Sequence, residues 1–138
     1  MYMNELLMSI KTKYVNEIFK GNKIYEFRKK SIGDKNLNKK IYIYSSEKDR
    51  AIVGYIIVDR VLEGNLDYIL KETNTIDNLD IINYFKNTKK CYALHILKYY
   101  KFKTNISLEE LRKNNKKFIV PEYFRYLKKD EEYIKTHK

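Results

Sequence analysis

The run from Ile52 to Leu62 constrains this chain more than any other stretch, because it is apolar on both faces of a period-two pattern. Val53, Ile57 and Val61 fall on one side and Ile52, Ile56 and Val58 on the other. A strand of that kind is stable only when covered above and below, so it must be central in a sheet with material on both faces. Gly54 inside it marks a bulge or a close backbone approach. With 138 residues in all, the chain can build one core around such a strand, and one fold is expected.

Leu6, Leu7, Met8 and Ile10 form a short apolar run, read as a first strand, with Thr12 as the N-cap of the helix that follows. Tyr14, Val15, Ile18 and Phe19 share one helical face, and Gly21 supplies the left-handed residue that ends the helix at about Lys20. Ile24 to Arg28 alternates again: Tyr25 and Phe27 point to the core, while Ile24, Glu26 and Arg28 point away. Lys29 to Lys40 is a polar loop, and Ile41 to Tyr44 is a third strand.

Asn65 to Leu70 and Leu79 to Phe85 read as two short helices separated by the polar ETNTIDN. Tyr92 to Tyr99 is a further strand, and Ser107 with Glu110 starts a capped helix through Arg112. VPEYFRYL reads as a packed helical turn, and KKDEEYIKTHK as a charged tail that frays. Strands interrupted by helices of two or three turns define an α+β protein with a small mixed, barrel-like sheet and short flanking helices. The expected organisation is one domain over residues 1–128 and a tail over 129–138.

Charge narrows the partner. Lys and Arg number 29 against 18 Asp and Glu, a formal net charge of +11, which suits a polyanion such as nucleic acid. A drift toward adenine and thymine in the coding sequence, also visible in the abundant Lys, Asn, Ile and Tyr, raises lysine content as well. The single Cys91, with only His95 and His137 beside it, excludes an internal disulfide and a structural zinc site. No apolar run approaches ~18 residues and the N-terminus lacks a secretory pattern, so a cytoplasmic protein without a membrane partner is expected. No phosphate loop, nucleophile elbow or dinucleotide fingerprint is present, and no metal or other cofactor is expected.

Residues 6 to 28, LLMSIKTKYVNEIFKGNKIYEFR, resemble the opening of the ASCH family, a branch of the PUA-like barrels. The matching features are Ser9, Ile10 and Lys11 at a strand end, the helix from Tyr14 to Phe19, the turn with Gly21 and Lys23, and a strand ending in Glu26, Phe27 and Arg28. The likeness runs on through Ile52 to Leu62 and Tyr92 to Leu97, with an echo at Pro121 to Leu127. It implies a small β-barrel with a cleft beside the Gly-x-Lys turn and an association with RNA. Some members are small amidohydrolases acting on acetylated cytidine, and others are ribonucleases. In the hydrolase pattern Lys23 and Arg28 hold matching positions, but Glu26 stands where a threonine is required. Without that hydroxyl the same nucleophilic mechanism cannot run.

Period two puts Glu26 and Arg28 on one face, ~7 Å apart along the strand. With Lys23 at its mouth, such a face offers a nucleotide a point charge, planar bidentate donors and an acceptor. The alternative is a surface ion pair worth about 0 to 1 kcal/mol. Lys11 either reaches the same cleft or solvates the helix start. Lys29, Lys30, Lys39 and Lys40 either contact phosphates without reading sequence or form a solvated charge run. His95 reads as a satisfied core histidine. Tyr42, Tyr44, Tyr99, Tyr100 and Phe102 either stack bases or pack internally.

The expected function is a module binding RNA or single-stranded nucleic acid, with a cleft for a nucleoside, nucleotide or phosphate group, through Lys11, Lys23, Glu26, Arg28, Lys29 and Lys30. The alternatives are a small hydrolase or ribonuclease with Lys23 and Glu26 as catalytic residues, and a basic interaction protein that blocks a host partner.

Overall fold

The computed structural model describes residues 4–138. Its elements in chain order are β1 (Leu6–Lys11), α1 (Thr12–Phe19), β2 (Tyr25–Arg28), β3 (Lys40–Ser46), β4 (Ala51–Gly64), α2 (Leu66–Glu72), α3 (Leu79–Tyr84), β5 (Cys91–Ser107), α4 (Leu108–Asn114), β6 (Phe124–Tyr126) and α5 (Glu132–Lys135). The strands form one six-stranded sheet in the order β2-β5-β4-β3-β1-β6. The β1–β3 pairing is parallel and the others antiparallel. This mixed sheet curls into a half-barrel flanked by short helices, the α+β architecture expected from the sequence.

β4 is central, and its two apolar faces explain the layering. Val53, Ile56 and Val58 lie within the main core, with Leu6, Met8 and Ile10 of β1, Ile41 and Ile43 of β3, Leu94 and Ile96 of β5, and Val15 and Ile18 of α1. The alternate residues of the same strands feed two smaller clusters on the opposite face. Leu7, Tyr42, Tyr44 and Phe102 pack under Leu108 and Leu111 of α4 and Ile134 of α5. Cys91, Ala93, Tyr25 and Phe27 pack with Ile69 of α2 and with Phe85 and Ile81. Gly54 marks a register shift in the β4–β5 ladder. A Cβ built there would fall 2.0 Å from the Tyr100 carbonyl oxygen, so the glycine is required for the two backbones to approach.

Several elements differ from the sequence reading. Thr12 is the first residue of α1 and caps nothing; its buried hydroxyl lies 2.9 Å from Ser45 Oγ and donates to the Ser46 carbonyl at 2.6 Å. β5 runs to Ser107 instead of stopping at Tyr99, because β4 offers partners along its whole length. VPEYFRYL is not helical: Phe124 to Tyr126 form the edge strand β6, antiparallel to β1. The last ten residues are folded against the domain. Ile134 and Glu131 are fully buried, and Arg125 clamps Glu131 through Nη1 and Nη2 at 2.8 and 2.9 Å. An apolar anchor and a buried, paired carboxylate hold a segment that its charge composition alone marks as solvated.

The faces of β2 are also the reverse of what alternation suggested. Glu26 and Arg28 are 6% and 8% exposed, whereas Tyr25 and Phe27 are half-buried against the smaller cluster. The curl of the sheet turns the Glu26–Arg28 face inward, so the charged residues occupy the more enclosed side.

A candidate nucleotide-binding cleft

β2 is one edge of the sheet, and β1 lies next to the other edge. Curling brings them within side-chain reach, and the opening between them is a cleft of about 810 Å³. That size falls within the range of small-molecule sites. Its floor and walls come from the end of β1 with Lys11, Tyr14 and Glu17 of α1, the turn and strand from Asn22 to Arg28, Ser46 of β3, the α2–α3 segment through Thr73, Asn74, Thr75 and Tyr84, and Glu122 with Tyr123.

The turn that delivers Lys23 is set by Gly21, whose φ of +78° lets the helix end; its N–H donates to the Ile18 carbonyl at 3.0 Å. Lys23, Glu26 and Arg28 then converge. Glu26 Oε2 lies 2.9 Å from Arg28 Nη2, and Glu26 Oε1 lies 3.5 Å from Lys23 Nζ. Lys23 donates to the Tyr25 carbonyl, and its ammonium sits 4.8 Å from the Phe27 ring centre and 5.5 Å from that of Tyr14. Burial pushes the Lys23 amine below its usual range, Glu26 pulls it back up, and Arg28 adds to the lowering.

Arg28 spans the opening. Its Nη2 also donates to the Ser9 carbonyl at 2.6 Å. β6 begins at Phe124 opposite Met8, so the Ser9 carbonyl lies beyond the last ladder pair and is free to accept. The guanidinium therefore links β2 to β1 across the opening. Its Nε–H is buried and has no partner among the described residues, although a buried donor is ordinarily satisfied.

The remaining site expectations divide. Lys11 lines the cleft, mostly exposed, 3.8 Å from Glu47. Lys29 and Lys30 stand over two aromatic walls of the cleft, 4.9 Å from the Tyr84 ring centre and 5.8 Å from that of Tyr123. Lys40 is elsewhere, over Tyr55. Tyr42, Tyr44 and Phe102 are core residues, 2%, 3% and 2% exposed, which removes them as stacking platforms. His95 is satisfied by Asp59, with Nδ1 2.6 Å from Oδ1.

Sequence reasoning missed the opposite wall. Thr73, Asn74, Thr75 and Asn78 all line the cleft but were read as a separator between helices. Their signal was composition: a cluster of amide and hydroxyl side chains is denser than a turn needs. Among the described residues no three His, Cys, Asp or Glu side chains gather for a metal, and no helix is long and apolar enough to cross a membrane.

The curled mixed half-barrel with short flanking helices is an ASCH-type, PUA-like fold. Crystal structures of an ASCH protein from Zymomonas mobilis match it over nearly its full length. A tyrosine-to-phenylalanine variant gives a TM-score of 0.84 at 20% identity, covering 97% of each chain. The unsubstituted protein gives 0.82 at 21%, covering 96% of this chain and 94% of that one. The N-terminal domain of McrB from Staphylothermus marinus is a more distant match, with a TM-score of 0.58 at 12% identity over 95% of this chain and 96% of that one. No family model and no curated protein matches the sequence.

Proposed function

We propose that the protein binds nucleic acid, with single-stranded RNA as the preferred form, and that its cleft receives one nucleotide of the strand. The observation that carries this reading is the buried Glu26–Arg28 pair with an unpartnered Arg28 Nε–H. It presents an acceptor and a planar donor side by side, a pairing suited to the edge of a nucleobase. Tyr14, Tyr84 and Tyr123 line the same space and offer ring faces for stacking.

The charge distribution favours a base inside and phosphates outside. The cleft is lined by the cations Lys11, Lys23 and Arg28 and by the anions Glu17, Glu26, Asp80 and Glu122. It is therefore no magnet for a polyanion, although the whole chain carries +11. The exposed Lys11, Lys29 and Lys30 at the rim take the flanking phosphates, which gives sequence-independent affinity. The ASCH fold supports the same partner class by analogy.

Fluorescence anisotropy with a short single-stranded RNA tests this. Three rim phosphate contacts correspond to a slope of log affinity against log salt of roughly −2. Arg28→Lys keeps the charge but loses the planar donors, and weakens binding about tenfold or more. Binding indifferent to salt, or an Arg28→Lys protein equal to wild type, contradicts the proposal.

One observation favours a second reading, hydrolysis. The lowered pKa of the Lys23 amine is what a lysine general base needs, and Glu26 is close enough to exchange a proton with it. The glutamate in place of a threonine speaks against the hydroxyl-dependent mechanism of the family's amidohydrolases. Incubation with acetylated cytidine and with unstructured RNA, beside a Lys23→Ala control, separates turnover from binding.

A further inference from the structure

Two clusters of helix and sheet residues pack on the outer face of the sheet, and β3, β4 and β5 also carry exposed residues on that face. Register sets their residues in two rows across that face: Lys40, Ile57 and Lys98 in one, and Tyr42, Tyr55 and Tyr100 in the next. Tyr42 is buried, Tyr55 half-buried, and Tyr100 36% exposed. The rings of Tyr55 and Tyr100 stack with centroids 5.3 Å apart and planes 26° apart. Tyr42 meets Tyr55 edge-on at 5.9 Å, so the outer rings rest on a fixed one. Lys40 Nζ stands 4.9 Å from the Tyr55 ring centre, and Lys98 is exposed two strand spacings away, ~10 Å across the sheet.

Glu5 and Glu132, the carboxylates that act on Tyr42, share the Lys135 ammonium at 2.8 and 3.2 Å, and Asp59 is held by His95 at 2.6 Å and by Arg60 at 3.6 Å. What remains available is a pair of stacked rings flanked by two lysines, the combination that single-strand binders use: ring faces for bases and cations for the backbone. A protein partner is a poorer fit, since the centres of protein interfaces are depleted in lysine.

We propose that this open face of β3, β4 and β5 is a second binding surface for single-stranded nucleic acid, with a base on the Tyr55–Tyr100 stack and the adjoining phosphates on Lys40 and Lys98. It lies on the opposite side of the sheet from the main core and stands whether or not the cleft binds a nucleotide.

Titration of isotope-labelled protein with hexauridylate, followed by amide chemical shifts, tests the assignment. The amides of Lys40, Tyr55, Ile57, Lys98 and Tyr100 are expected to move, and to move equally in an Arg28→Lys background. Tyr100→Ala, at an exposed position, is expected to weaken binding at this face about fivefold or more. Lys40→Ser with Lys98→Ser flattens the salt slope by about 1.4. Tyr99→Ala, at a neighbouring position that points to the other face, changes neither. Shifts absent from these residues overturn the proposal, as does a Tyr100→Ala protein that binds like wild type. A concentration-dependent dimer that hides Tyr100 assigns the face to a second copy of the chain and equally overturns it.

Discussion

Arg28 Nη2 reaches the Ser9 carbonyl oxygen at 2.6 Å, a hydrogen bond from the edge strand β2 to β1, next to the other edge of the sheet. The same nitrogen lies 2.9 Å from Glu26. One guanidinium therefore contacts both β1 and the acid of the cleft.

Among the described residues, Glu26 is the sole carboxylate within ion-pair distance of either Lys23 or Arg28. Glu26→Ala leaves two buried cations facing each other, and a loss of about 3 to 5 kcal/mol is expected. Chemical denaturation measures it. A loss under 1 kcal/mol marks the pair as solvent-screened.

Burial lowers the Lys23 amine below its ordinary pKa of 10.5. Between the lowered value and 10.5 the unfolded chain holds more protons than the folded one, so stability gained from this group rises with pH in that window. Below the window both states are protonated and the cost of the buried charge is fully present. The difference in unfolding free energy between wild type and Lys23→Met is therefore expected to shift in favour of wild type as pH rises from neutrality toward 10.5. Parallel urea melts across that range check the sign.

Glu131 shifts stability in the same sense but in an acid window, because its pKa is also lowered. Burial raises its pKa, but the hydrogen bonds from Arg125 and the Lys128 N–H outweigh burial and leave it below 4.5. Its stabilisation is present above 4.5 and is lost as pH falls through the lowered value. Arg125→Ala abolishes the clamp at a cost of about 3 to 5 kcal/mol. Hydrogen exchange is expected to show residues 128–138 losing protection first.

Gly54→Ala sets a methyl group 2.0 Å from the Tyr100 carbonyl oxygen. The two strands must part there, and a destabilisation of about 3 kcal/mol or more is expected. A thermal melt of the variant reads it.

Much of the fold was legible because burial follows period. β4 showed both faces apolar and is central; Gly54 showed a break in a strand and marks a register shift. The grouping of Lys23, Glu26 and Arg28 was also legible, from strand spacing and from the ASCH resemblance. Their depth was not, because the curl of a sheet is a tertiary property, and it buried the charged face of β2 more than the aromatic one. β6 hid for a similar reason: three residues are too few to show alternation, and the pairing with β1 decides their conformation. The Thr73 to Asn78 wall gave only a compositional hint, since nothing local says which loops will face each other across an opening.

The Arg28 Nε–H resonance is the most direct probe of the proposed nucleotide cleft, because that donor is buried and unpartnered among the described residues. It can be followed while each of the four nucleoside 5′-monophosphates is added to labelled protein. The nucleotide reading predicts a downfield shift that saturates with at least one of them, together with changes at the amides of Ser9, Glu26 and Tyr84. An Nε–H resonance that stays in place while only the amides of Lys29 and Lys30 respond contradicts it, and leaves the cleft without a ligand.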